Sequence, residues 1–347
     1  MKKKKKRNLA SLANSILIIL LIFFSLNLLF HLTTSKNVQR NYQKKFAEKK
    51  INSNQVEVIL LGASTTIYNV DHNILGNKYL NLAFWSESPN FNIAKMRYYL
   101  RKKNNVKAVV ISADYYDFSK FGEDPFRIMN LINSYDDFKI LYGDEKRLSS
   151  KYNYIKFRFF EIFPLIYDRR QIKYMSRDLI LLFSKILNIK NKITVARLDK
   201  NCLNMVRATH GVRKDIEWNN RNESIKETIY NDTINQNSNY KLNKNSYKSW
   251  KKLLNFLKKK NISVIAVRYP LLIEEKNFIN DNHKYIDEKI KELNFDYILD
   301  YRKLKFDEKY FFDLDHLNVK GSKKFSKILK KDIEKIIDID QEKFKCN

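Results

Sequence analysis

The apolar positions fall into three regimes along the chain. Residues 9–32 read LASLANSILIILLIFFSLNLLFHL and contain no charged side chain. At about 1.5 Å of rise per residue, such a stretch is long enough to cross a hydrocarbon core of about 30 Å. Basic residues from Lys2 to Arg7 precede it. The pattern predicts a basic cytoplasmic tail over 1–8, an uncleaved single-pass signal anchor over 9–32, and everything later outside the membrane. No A-x-A cleavage pattern follows the apolar run, whose exit reads Thr33-Thr34-Ser35-Lys36.

Residues 33–54 are polar and basic, and read as a juxtamembrane spacer or short helix. From 55 to 340 the pattern becomes globular. Short apolar runs predict strands over 56–61, 79–84, 106–112, 262–267 and 297–299. Between them, apolar residues at helical spacing predict helices over 91–102, 246–260, 282–293 and 320–337. Strands alternating with helices imply an α/β fold, here a three-layer flavodoxin-like domain with about five parallel strands and right-handed crossovers. Residues 117–240 break the rhythm. They are rich in Tyr, Phe, Lys and Asn, and read as an insertion forming a cap or substrate surface, with helices over 154–166 and 176–187 and a polar loop over 213–243.

Composition narrows the function classes. The 347 residues carry 67 Lys+Arg against 38 Asp+Glu, a formal charge of +29. That balance can mark a nucleic-acid binder. The lysines, however, are spread along the whole chain beside equally abundant Asn and Ile, which argues for a global bias and against a nucleic-acid arm. Attraction to anionic lipid or an anionic envelope polymer fits better. Cys202 and Cys346 are far apart and read as free thiols, and no Cys/His cluster suggests zinc. Neither a P-loop nor G-x-G-x-x-G is present, so no metal or nucleotide cofactor is expected.

Two segments carry chemistry. The first, Leu60-Leu61-Gly62-Ala63-Ser64-Thr65-Thr66, follows the first predicted strand. Sites in open parallel sheets form beyond the carboxyl ends of strands. A serine at this turn is placed as a nucleophile, with its own backbone N–H available to an oxyanion. The second, Phe312-Asp313-Leu314-Asp315-His316-Leu317-Asn318, precedes the last helix. Asp-x-x-His puts a carboxylate within reach of one ring nitrogen, leaving the other to take the serine proton. Alternatives stay open at each position. Ser64 could be a helix N-cap, and Asp315 could replace Asp313, although a side chain adjoining His316 is expected to point elsewhere. His72 could be the base. His210 reads as structural or exposed, and His283 as a solvated surface residue. Trp85, Ser86, Glu87 and Asn90 could line the site. Arg268, at the end of the fourth strand, could hold an anionic group or merely pack.

Taken together, Gly62-Ala63-Ser64 and Asp313-Leu314-Asp315-His316, in that order and near the two ends of the domain, resemble the SGNH/GDSL hydrolases. The chain further resembles membrane-anchored members that modify cell-envelope polymers: alginate and peptidoglycan O-acetyltransferase relatives and the lipoteichoic-acid D-alanylation protein. The shared feature there is His316-Leu317 followed by Gly321. The resemblance implies a Ser64–His316–Asp313 triad performing ester hydrolysis or acyl transfer outside the cytoplasm. Its substrate would be an envelope glycan or polymer, and a membrane acyl-donor partner could supply the acyl group. An inactive binding or assembly protein on the same fold is the other outcome the resemblance allows. It also implies an oxyanion role at Ser86, counted from Asn81, and Asp114 and Arg268, after the third and fourth strands at the same sheet edge, are further oxyanion or substrate-binding candidates. Ala63 stands where the family has an acid, and Ser86 stands at the second block's glycine. Ser112-Ala113-Asp114 replaces the third block's G-x-N-D, removing an asparagine donor.

Overall fold

The computed structural model describes residues 47–83, 89–101, 105–119, 216–237, 240–272 and 281–345, with isolated positions between 14 and 25 and at 154, 155 and 158. Five strands form one parallel sheet: β1 Val58–Leu61, β2 Tyr79–Asn81, β3 Ala108–Ser112, β4 Ser263–Arg268 and β5 Tyr297–Asp300, in the order β2-β1-β3-β4-β5. This is the flavodoxin-like order. β1 and β3 are buried at every position, and β4 at every position but Ser263. Continuous apolar runs are what a sheet covered on both faces requires. β5 alternates between half-buried and exposed residues, as an edge strand does.

Alternate residues of each strand feed two cores. Ile59, Leu61, Val109, Ile111, Val264 and Ala266 pack beneath α3 (Pro89–Tyr99), α6 (Lys244–Lys258) and α7 (Asp281–Glu292), with Trp250 fully buried among them. Val58, Leu60, Val110, Ile265 and Val267 face the other way. They pack against α8 (Val319–Lys345), which lies beside α1 (Ser64–Asn69) and α2 (His72–Leu75). The three-layer expectation holds. Because β1 is flanked by β2 and β3, the direction of strand addition reverses there. A crevice opens at the carboxyl ends of β1 and β3.

Three expectations need correction or relocation. The polar loop predicted over 213–243 contains a 3-10 turn, Trp218–Asn220, and helix α5, Glu223–Asn237. The helix is polar almost all round, so periodicity hid it. It is anchored by buried Trp218, capped by Asn222 Oδ1 accepting from Ser224 N at 2.8 Å, and supported by a Glu223–Lys226 ion pair. Of the helix predicted over 154–166 only isolated positions are described, and residues 120–153 and 159–215, with the helix predicted over 176–187 and His210, lie outside the described residues, as do Cys202 and Cys346. Among the described residues no helix is long and apolar enough to cross a membrane, and most of the predicted anchor falls outside them.

Candidate active site

The turn after β1 is shaped by Gly62. Its φ is +152°, and a Cβ there would lie 2.1 Å from Thr66 Oγ1 and 2.8 Å from Ser112 Cβ. Only glycine lets the chain turn this close to β3 and begin a helix at once. Ser64 is the first residue of α1. Ala63 occupies the N-cap position and no side-chain cap bond forms, which removes the capping role for Ser64. Thr66 fixes the helix from below, accepting from Tyr269 Oη at 3.1 Å.

The loop bearing His316 is tied to the same helix. Asn69 Oδ1 accepts from Leu317 N at 2.6 Å, and Asn69 Nδ2 donates to Asp315 O at 3.1 Å. Tyr68 meets the His316 ring edge-on, with centroids 4.8 Å apart. Ser64 and Tyr68 are four residues apart and so share a helix face. One short helix thus presents the serine at its start and grips the imidazole loop at its end. Asn318 caps α8, its Oδ1 accepting from Gly321 N at 3.0 Å, and its Nδ2 donates to Lys309 O at 2.7 Å. A Cβ on Gly321 would strike Tyr310 O at 2.1 Å, so glycine lets the helix start beneath that turn.

Asp313 holds His316 twice. Its Oδ1 accepts from the His316 backbone N–H at 2.8 Å, and His316 Nδ1 lies 2.9 and 3.0 Å from Oδ1 and Oδ2. Asp315 was expected to point elsewhere, but its Oδ1 also lies 2.9 Å from Nδ1. The cause is the bend at 313–316. Asp313 Oδ1 also accepts from Asp315 N at 3.3 Å, curling the loop so that both carboxylates converge. Asp313, Asp315 and His316 bring three ligand-type atoms within 4.8 Å of one another, and His316 Nδ1 lies 2.9 Å from an oxygen of each carboxylate. Burial opposes the imidazolium, yet the two carboxylates outweigh it and raise the His316 pKa well above its ordinary value. Burial would likewise raise Asp313, but His316 holds it below the usual carboxylate range, whereas burial keeps Asp315 above it. His316 Nε2 is buried and has no hydrogen-bond partner among the described residues. No hydrogen bond joins it to Ser64 among the described residues.

Ser64 opens onto a pocket at the crevice, lined also by Thr65, Asp114, Arg268, Arg302 and Asp315. Asp114 therefore stands where a site residue was expected. Arg268 also lines the pocket, but its charge is engaged: Nη1 lies 2.9 Å from Asp287 and 3.7 Å from Asp300. Arg302 completes the cluster, pairing with Asp300 at 2.6 Å and Asp287 at 3.3 Å, and donating to Tyr115 Oη at 2.5 Å. Two cations therefore face two carboxylates here, so the Arg268 charge is engaged within the protein. Asn81 is buried at the end of β2, where its Oδ1 accepts from Ala83 N at 2.9 Å, and it is not among the residues that line this pocket. Trp85, Ser86 and Glu87 lie outside the described residues, as does the side chain of Asn90.

The other histidines separate cleanly. His72 Nε2 lies 3.2 Å from Lys50 Nζ, and burial with that cation depresses its pKa to about 4. His283, expected on the surface, is buried against Tyr115 with ring centroids 4.3 Å apart. Its place on the inner face of α7 was concealed by the polar residues around it. Tyr68, Asn69, Thr65 and Arg302 were not legible as site residues.

Comparison with protein-family models and with curated proteins returned no match to this chain.

Proposed function

We propose that the chain is a serine esterase or O-acyltransferase of the SGNH/GDSL type, with Ser64 as nucleophile, His316 as general base and Asp313 as the residue that orients it. The observation that carries this reading is the state of His316. Its Nδ1 is held by Asp313, and its Nε2 is buried and unpartnered on a loop fastened to the helix that begins with Ser64. That is the arrangement a proton acceptor needs. The flavodoxin-like strand order and the glycine turn before Ser64 support it.

The substrate in this reading is a hydroxyl or ester of an envelope glycan or polymer, and a membrane partner donates the acyl group. The chain is a single-pass protein with its N-terminus in the cytoplasm and the domain outside. The apolar sequence over 9–32 supports that placement. So do the helical positions Leu17, Ile18, Leu21, Ile22 and Phe24, each more than half exposed.

The test is labelling of the full-length chain in detergent by a fluorophosphonate probe. Ser64→Ala and His316→Ala are each expected to reduce labelling by about 10³-fold or more. Labelling that persists in Ser64→Ala sinks the mechanism. A second reading is an inactive binding or assembly protein on the same scaffold. It is favoured by the missing Ser64–His316 hydrogen bond, and folded wild-type protein that never labels would establish it.

A further inference from the structure

Asp114 ends the turn after β3 and faces Ser64 and Thr65 across the same pocket. Three residues on, Asp117 sits in α4 (Tyr115–Phe118), 3% exposed, with Oδ1 buried and unpartnered. The Ser112 hydroxyl lies between them, 3.0 Å from Asp114 Oδ2 and 2.6 Å from Asp117 Oδ2. Each of these O···O contacts requires a proton. Ser112 supplies one, so a carboxylic acid must supply the other. Asp117 is the acid in the resting site: it is buried, has no cationic partner among the described residues, and would be costly to ionise. Its proton then points to Ser112, and the Ser112 proton points to Asp114 Oδ2. The second oxygen of Asp114 is left to the pocket and Thr65.

A carboxylate beside a nucleophilic serine repels the negative charge that forms on the attacked carbonyl, whereas a carboxylic acid stabilises it. We propose that Asp114, in its acid form, donates a hydrogen bond to the oxyanion generated at Ser64, with Asp117 acting through Ser112 as a positioning residue. The inference rests on Ser64 being the nucleophile. In the step, the Ser64 Oγ–carbon bond forms, the carbonyl π pair moves to oxygen, and the serine proton passes to His316 Nε2. Asp114 keeps its proton and donates. On collapse the leaving-group bond breaks, and His316 returns its proton to the departing oxygen.

The groups facing Asp114 are Thr65 from α1, Ser112 from β3, Asp117 from α4, Arg268 from β4, the Tyr269 hydroxyl just beyond it and Asp315 from the loop before α8. Arg268 is already ion-paired. Burial is the largest influence and pushes Asp114 up to about 6, against the Ser112 and Thr65 hydroxyls. The active form pairs acid Asp114 with neutral His316, whose pKa lies higher. That state is a minority species at any pH. Wild-type rate should therefore climb with pH only to about 6, level off, and fall above the His316 value.

Asp114→Asn, whose amide donates at every pH, separates the two titrations. The reading is the rate of fluorophosphonate labelling of the full-length chain from about pH 5 to 9. The ratio of Asp114→Asn to wild type should be constant below about pH 6 and then grow about tenfold per unit, reaching about 100-fold by pH 8. Ser112→Ala, lacking the hydroxyl that stabilises the Asp114 carboxylate, should move that onset to higher pH. Asp117→Ala, which removes the donor to Ser112, should lower the labelling rate, and Asp117→Asn, which restores a donor there, should recover it with the onset still near pH 6. A ratio that stays flat with pH, or a pH dependence abolished by Asp117→Asn, overturns the assignment of Asp114 while leaving Ser64 as nucleophile. Wild-type and variant chains that never label at any pH overturn the Ser64 reading, and this one with it.

Discussion

Two pairs of carboxyls stand at the carboxyl edge of the sheet, and they solve the same problem in opposite ways. Asp313 and Asp315 converge on an imidazole, and Asp114 and Asp117 converge on a hydroxyl. With an imidazole between them, the first pair divides: His316, itself raised, holds Asp313 below the ordinary carboxylate range, while burial keeps Asp315 above it. With only a hydroxyl between them, the second pair must keep a proton, and both members are raised. What sits between two buried acids, rather than burial alone, decides whether they act as counter-ions or as a proton store. The ion cluster of Arg268, Arg302, Asp287 and Asp300 lies in the same pocket wall and shows a third outcome, in which equal numbers of opposite charges neutralise one another.

The comparison breaks most sharply at Asp313. If the first pair exists to orient His316, Asp313→Asn should reduce labelling or turnover by about 10²- to 10⁴-fold, since the amide favours the wrong tautomer. Asp315→Asn should cost about tenfold or less at neutral pH. It should also bring the alkaline fall of the pH profile to lower pH, because removing one carboxylate lowers the His316 pKa. Equal losses in the two variants would mean that the pair acts jointly. A larger loss in Asp315→Asn would hand the orienting role to that residue.

A smaller effect tests whether the imidazole loop is held from outside. Asn69→Ala removes both hydrogen bonds to the loop backbone and leaves Leu317 N buried without its partner. The expected loss is about 1–3 kcal/mol in urea unfolding, with a fall in labelling rate larger than the stability change accounts for. Stability lost at an unchanged labelling rate would show that Asp313 alone positions His316.

These contrasts explain which parts of the molecule the sequence discloses. β1, β3 and β4 are legible because a strand buried on both faces must be apolar throughout. Ser64, Asp313 and His316 are legible because each motif is contiguous. Asn69 is not: its partner is Leu317, 248 positions away, and no local pattern marks a contact of that span. Asp315 was read as turned away because side chains of neighbouring residues usually diverge. Here the bend around Asp313 Oδ1 brings them together. α5 escaped because its residues are polar on nearly every face, and what anchors it, Trp218, precedes the helix. Arg268 was visible as a cation but not as a paired one, since its partners come from α7 and β5.

The second pair makes the smallest prediction, and one of unusual sign. Burial raises the Asp117 pKa well above its ordinary value, so the folded protein holds this proton more tightly than the unfolded chain does. As pH rises past the unfolded carboxyl value of about 4, the unfolded chain releases its proton first, and stability falls toward the folded pKa. Asparagine cannot ionise, yet it keeps a donor for Ser112. Asp117→Asn should therefore match wild type near pH 4 and become more stable than it as pH increases. The gain in urea unfolding should be about 1 kcal/mol or more by pH 8. A gain of the same size at both pH values would reflect packing or solvation of the amide, and the proton store would have no thermodynamic footing. A gain that grows with pH at Asp117, beside a loss at Asp313→Asn that does not, would confirm that the two pairs differ in charge because of what each encloses.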